Sequence, residues 1–186
     1  MELGKTLYVT NRKQWRSWLA KNHKEKEIWL VYYRKSSGKK RIPYNDAVEE
    51  ALCYGWIDST MKRIDEKSFA QRFTPRRSNS MLSQTNKERI HRLIEKKKMT
   101  IKGLNAVKHA FDDSSKNSKC IIKDDILKLL KEERTTWKNF QKFPESYKRI
   151  RIGWIEGART RPDLFKKRLE YFLKMTAKNK KYGLVQ

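Results

Sequence analysis

The run Ile28-Trp29-Leu30-Val31-Tyr32-Tyr33 constrains this chain more than any other feature. Six consecutive apolar or ring-bearing β-formers have the pattern of a strand buried on both faces. The setting sharpens the point. Hydrophobic residues make up only 37% of the 186, and mean hydropathy is −0.96. A chain this polar could be disordered, but 6 Trp, 7 Phe and 8 Tyr are too many large apolar groups for that.

Around this strand the pattern predicts an ordered series of elements. Leu7–Thr10 is a short apolar stretch, and Thr10 or Asn11 can cap a helix over about 12–22 that carries Trp15, Trp18 and Leu19 at i, i+3, i+4. After the polar loop 34–43, a helix starts at Tyr44 or Asn45. It carries Ala47, Val48, Ala51 and Leu52 on one face and stops at Gly55. Trp56–Ile64 and Phe69–Thr74 flank the polar turn Asp65–Lys67 as a β-hairpin. Everything beyond residue 75 has helical patterning. Ser83 and Thr100 can cap two helices, followed by Ile122–Leu130 running on toward Phe140, then Pro144–Ala158 and Pro162–Lys178. The expected class is α+β, a small mixed or antiparallel sheet in the order β-α-β-α-β-β followed by about five helices. A polar stretch at 113–119 divides an α+β domain, 1–112, from a helical module, 120–186, packed on it.

Charge is the second constraint. Lys and Arg number 46 against 21 Asp and Glu, a net charge of +25. The excess is spread along the chain, +14 over residues 1–112 and +11 over the remainder. Such a field suits a polyanion partner, nucleic acid or anionic lipid, and disfavours a cationic one. Thirty of the 46 basic residues are Lys, which equally suits a generally lysine-rich background, since Arg is the usual choice for bidentate recognition. No window nears the roughly eighteen apolar residues of a membrane span, and no apolar signal core opens the sequence. Cys53 and Cys120 lack metal-type spacing and fit free thiols in a reducing cytosol. The expectation is a cytoplasmic protein.

Catalytic motifs are scarce. Ser36-Ser37-Gly38-Lys39-Lys40 lacks the second glycine and the hydroxyl residue of a phosphate loop. His23, His91 and His109 have no ligand partners at metal spacing, and Cys53 sits on an apolar helix face. Neither a metal, a cofactor nor a catalytic residue is implied.

One constellation remains: Trp56 and Asp58, then Arg72, Thr74, Arg76 and Arg77, then Ser83, Asn86 and Arg89. In a hairpin, Asp58 and Arg72 lie on pairing strands, so the carboxylate can hold the guanidinium. Arg76 and Arg77 enter a loop leading to a helix N-terminus, a combination suited to an anion. The structural alternative is an ion pair with solvated arginines beside it. Two further readings are a small-molecule site or enzyme pocket around Trp56, Asp58, Arg72, Arg76 and Asn86, and a peripheral protein on anionic lipid.

These motifs also carry a resemblance. ALCYGWIDS (51–59), QRFTPRR (71–77), SxxSxxNxxRIxRLI (80–94), the Met99-Thr100 to Gly103-Leu104 segment and the tail from Ile126 to Glu170 resemble the YdeI/OmpD-associated family, also called bacteriocin-protection proteins. The likeness spans about residues 5–178. One departure stands out: the family's Ser-x-Trp-Ser is Ser80-Met81-Leu82-Ser83 here. The resemblance implies a role in resistance to bacteriocins or cationic peptides, and implies no reaction. Direct sequestration of a cationic peptide conflicts with +25. The combined expectation is a non-enzymatic anion- or nucleic-acid-binding protein.

Overall fold

The computed structural model describes residues 3–111 and 118–183. Among them the order is β1 (Thr6–Leu7), α1 (Arg12–Asn22), β2 (Ile28–Tyr33), α2 (Tyr44–Cys53), β3 (Trp56–Arg63) and β4 (Ser68–Pro75), then α3 (Gln84–Glu95), α4 (Ile101–Val107), α5 (Asp124–Glu132), α6 (Arg134–Lys142), α7 (Glu145–Glu156) and α8 (Pro162–Ala177). This is the expected α+β order, with six helices after the hairpin instead of about five. The extra helix arises at Glu133, whose extended backbone (φ −113°, ψ 118°) ends α5 and lets α6 begin afresh.

The chain divides into two compact units, residues 1–81 with 89–111, and residues 82–88 with 112–186. The stretch expected as a linker, 113–119, lies outside the described residues except for Ser118 and Lys119.

In the first unit the sheet order is β1-β2-β4-β3, with β1 parallel to β2 and the other pairs antiparallel. Ile28, Leu30 and Tyr32 share one face with Phe73 and are buried with Trp15 and Leu19 of α1, the Ala47, Val48, Ala51 and Leu52 face of α2, and Trp56. On the opposite face Trp29 is fully buried, whereas Val31 and Tyr33 are half-buried. Asn11 caps α1 by accepting from the Gln14 amide at 3.0 Å. Arg12 ties α1 to α2 by reaching Glu50 at 2.8 Å, Glu49 at 3.0 Å and Asp46 at 3.2 Å. The hairpin register is irregular between Asp58 and Met61, and the Gln71 side-chain amide donates to the Ser59 carbonyl there at 2.9 Å.

The second unit has its own core, built from Ile126, Leu130, Phe140, Ile152, Ile155, Leu169 and Phe172. Glu88 takes a two-pronged bond from Arg149, at 2.6 and 2.9 Å. Arg151 lies among rings, 4.7 Å from the Tyr182 centroid, 5.6 Å from Tyr147 and 5.7 Å from Trp154. Among the described residues, no helix is long and apolar enough to cross a membrane.

Candidate functional site

The residues singled out from the sequence fall into several different environments. Trp56 is 1% exposed and belongs to the core, its ring edge-on to Trp18 at 5.8 Å. Thr74 is half-buried opposite Ile57, and Arg77 is exposed. Ser83 is exposed and serves as a helix start, accepting the Asn86 amide at its carbonyl (2.9 Å) and hydroxyl (3.3 Å). Asn86 is buried. Leu82, where the family pattern has Trp, is buried, and Met81 beside it is the exposed residue.

The expected Asp58–Arg72 ion pair does not form. β4 is a central strand: its Phe73, not Arg72, stands opposite Asp58, while Arg72 is in register with Trp29 of β2. Neighbours along a strand point to opposite faces, so Asp58 and Arg72 are on different sides of the sheet. Arg72 instead bonds Glu27 through Nε at 2.8 Å and through a second, shorter contact from Nη2. Trp29 also donates to Glu27 through its ring N–H at 3.0 Å. Bonds from Arg72 and then from Trp29 hold the Glu27 carboxyl below its ordinary range. Nothing in the sequence signalled Glu27 except its place immediately before β2.

Asp58 has a partner that sequence reasoning missed. The Tyr44 hydroxyl donates to its Oδ2 at 2.5 Å. Burial, then the bond and the charge of Asp58, push the Tyr44 phenol well up. Arg89, 8% exposed, donates to Asn45 Oδ1 at 2.8 Å, and desolvation lowers its pKa against the opposing pull of Tyr44, Glu49 and Asp58. The Tyr32 hydroxyl is buried without a hydrogen-bond partner among the described residues, and the charges of Tyr44 and Asp58 add to the burial that raises its pKa. Tyr32, Tyr44, Asp58 and Arg89 thus influence one another near the start of α2. The one signal available beforehand was Tyr44's place after Pro43.

Arg76 stands apart. It is 8% exposed, its Nη2 donates to the carbonyls of Met81 (2.9 Å) and Ser80 (3.3 Å), and its Nε and Nη1 are buried with no partner among the described residues. Burial lowers its pKa, and no carboxylate among the described residues forms an ion pair with it. The Ser80 carbonyl also meets His109 Nε2 at 3.0 Å, which closes the loop 76–81.

The remaining chemistry is quiet. Burial raises both thiols, Cys53 and Cys120, to about 11. Among the described residues no three His, Cys, Asp or Glu side chains are grouped to hold a metal ion.

Fold and site together define an α+β protein of two compact units with buried, partly unsatisfied arginines. The chain belongs to the family described as a domain of unknown function (DUF8412), whose model matches residues 7–106. Residues 119–179 match the family model described as bacteriocin-protection, YdeI or OmpD-associated, in agreement with the resemblance drawn from the sequence. The motifs between Ala51 and Leu104 therefore lie in the first match and the tail motif in the second. No curated protein and no solved structure matches the chain.

Proposed function

We propose that this protein binds a small oxyanion, a phosphate, sulfate or carboxylate group, at Arg76. One observation carries the reading: a guanidinium about nine-tenths buried, with two of its three nitrogens unpartnered among the described residues. A buried charge without a counter-charge costs several kcal/mol. Other buried arginines are relieved in visible ways, Arg151 by three rings and Arg89 by Asn45. An oxyanion supplies what Arg76 lacks, a negative charge and several acceptors in one group. Arg77, exposed and adjacent, adds attraction on approach. The matched family's label names bacteriocin protection. At +25 the chain repels a cationic peptide, so a protective role fits the handling of an anion better than capture of the peptide.

The test is calorimetric titration with inorganic phosphate at fixed ionic strength, on wild type and Arg76→Met. Wild type should bind, and the variant should not. Without phosphate the variant should be at least as stable as wild type, because an apolar side chain of similar volume removes an uncompensated charge. Equal phosphate binding by both proteins, or none by either, rejects the reading.

A second reading, a small-molecule site at the start of α2, is favoured by the orphaned Tyr32 hydroxyl beside Tyr44 and Asp58. A Tyr32→Phe variant that is unaltered in every ligand screen in which wild type scores would remove it.

A further inference from the structure

From the first unit we infer a second binding surface, a site for single-stranded nucleic acid running past Trp18, Tyr8 and Tyr33. Two open depressions flank a pair of tyrosines. Tyr8 and Tyr33 meet edge to face, with ring centroids 5.1 Å apart. On the Tyr8 side lies a hollow of about 590 Å³ whose lining includes Tyr8, Lys13, Gln14 and Trp18. On the Tyr33 side lies another of about 570 Å³, whose lining includes Ser37, Lys39 and Lys67. Each volume falls within the range of ordinary small-ligand pockets, roughly 300–1,000 Å³, and so has room for a nucleobase.

The loop between β2 and α2 supplies the charge. Arg34, Lys35, Lys39, Lys40 and Arg41 fall within eight residues, with no acid among them. That loop is held in shape. The Arg34 amide donates to the Lys67 carbonyl at 2.8 Å, Arg41 donates to the Tyr33 carbonyl at 3.0 Å, and the Tyr8 hydroxyl bonds the Lys40 carbonyl. The Lys39 ammonium sits 4.2 Å from the Tyr33 ring centroid. Tyr8 is 42% exposed, well above what a packing role requires.

Rings bordered by fixed positive charge are what a flexible polyanion of stacking bases needs: each base offers a π-face and each linkage a phosphate. A duplex hides its base faces, and an acidic peptide has carboxylates without regularly spaced rings, so single strands fit best. The nearby acids do not reverse the sign. Asp65 and Glu66, which line the Tyr33-side hollow, are two negative charges against six positive ones from Lys67 and the five loop cations. This surface is independent of Arg76, and neither proposal needs the other.

Fluorescence anisotropy with labelled oligothymidylate and oligouridylate, in about 50 mM salt, tests the inference. Both strands should bind, and affinity should fall as salt rises. Tyr8→Leu should weaken binding about tenfold, the usual worth of one stacked base, whereas Tyr8→Phe, which keeps the ring and loses only the bond to the Lys40 carbonyl, should bind as wild type. The triple change Lys35→Gln, Lys39→Gln, Lys40→Gln should flatten the slope by about 2, at roughly 0.7 per phosphate contact. The pair Lys166→Gln, Lys167→Gln on α8 removes as much charge per residue and should do neither. Weakening by the α8 pair that matches the loop triple charge for charge means charge without a site, and overturns the inference. So does a Tyr8→Leu protein that binds as wild type, or a wild type that binds phosphatidylserine vesicles but no oligonucleotide.

Discussion

A methyl group at position 103 has nowhere to go. A Cβ built on Gly103 would stand 2.2 Å from the Cys53 carbonyl oxygen and 2.9 Å from that of Leu52, both of them backbone atoms at the end of α2. Thr100 explains the closeness. Its hydroxyl donates to the Cys53 carbonyl at 2.6 Å and accepts the Gly103 amide at 3.1 Å, so one side chain caps α4 and fastens it to α2. Backbone cannot yield as a side-chain tip can, so Gly103→Ala should destabilise the protein by about 3 kcal/mol, at the upper end of overpacking costs. Urea denaturation measures this, and a variant within about 0.5 kcal/mol of wild type would show that α4 is free to shift. The same contacts show what was legible in the motif Met99-Thr100 to Gly103-Leu104. Thr100 was recognisable as a cap because the hydroxyl-before-helix pattern is local. The reason for Gly103 was not, because it lies fifty residues away in sequence, at Cys53.

Pairing between distant elements is where local pattern stops carrying information. The hairpin was visible because β3 and β4 are adjacent in sequence with a polar turn between them. The pairing of β4 with β2 joins residues such as Trp29 and Arg72, too distant for any local pattern to reveal. Without that third strand, Asp58 was the natural acid for Arg72; with it, Glu27 is. The break at Glu133 is hidden from the sequence for a related reason. Leu130 and Trp137 are seven residues apart, so helical periodicity continues across the break, and no Gly or Pro marks it. The Glu27–Arg72 bond has a measurable consequence. Glu27's pKa is lowered in the fold, so the bond's stability is fully present above the ordinary glutamate pKa and disappears as pH falls through the lower folded value. Wild type should therefore lose more stability than Arg72→Gln between about pH 5 and pH 3. Both side chains are about a third exposed, so the difference should be small. Urea midpoints at the two pH values give it, and parallel losses would mean the contact contributes nothing.

At the scale of the whole molecule, the distribution of charge matters more than its sum. Many acids are engaged by arginines at short range: Arg149 holds Glu88 at 2.6 Å, Arg16 holds Glu50 at 2.8 Å, and Arg159 holds Asp125 at 2.8 Å. The lysines supply most of the excess that faces water. Two electrostatic effects then oppose each other. Close pairs stabilise the fold, and repulsion across a surface of +25 destabilises it. Salt separates the two because they differ in range. Raising ionic strength from about 10 mM to about 150 mM shortens the Debye length from about 30 Å to about 8 Å. Lysines separated by one or two tens of ångströms lose most of their repulsion over that interval. A pair such as Arg149 and Glu88, with side chains only 12% and 10% exposed, is barely screened. The melting midpoint should accordingly rise with sodium chloride, by about 2–4 °C for each kcal/mol of repulsion removed in a chain of this length. A midpoint that falls with salt would show that exposed ion pairs outweigh the repulsion. The effect should also survive Arg76→Met, because screening acts on the whole surface and not on one buried group. That separates it from oxyanion binding, which should vanish in the same variant.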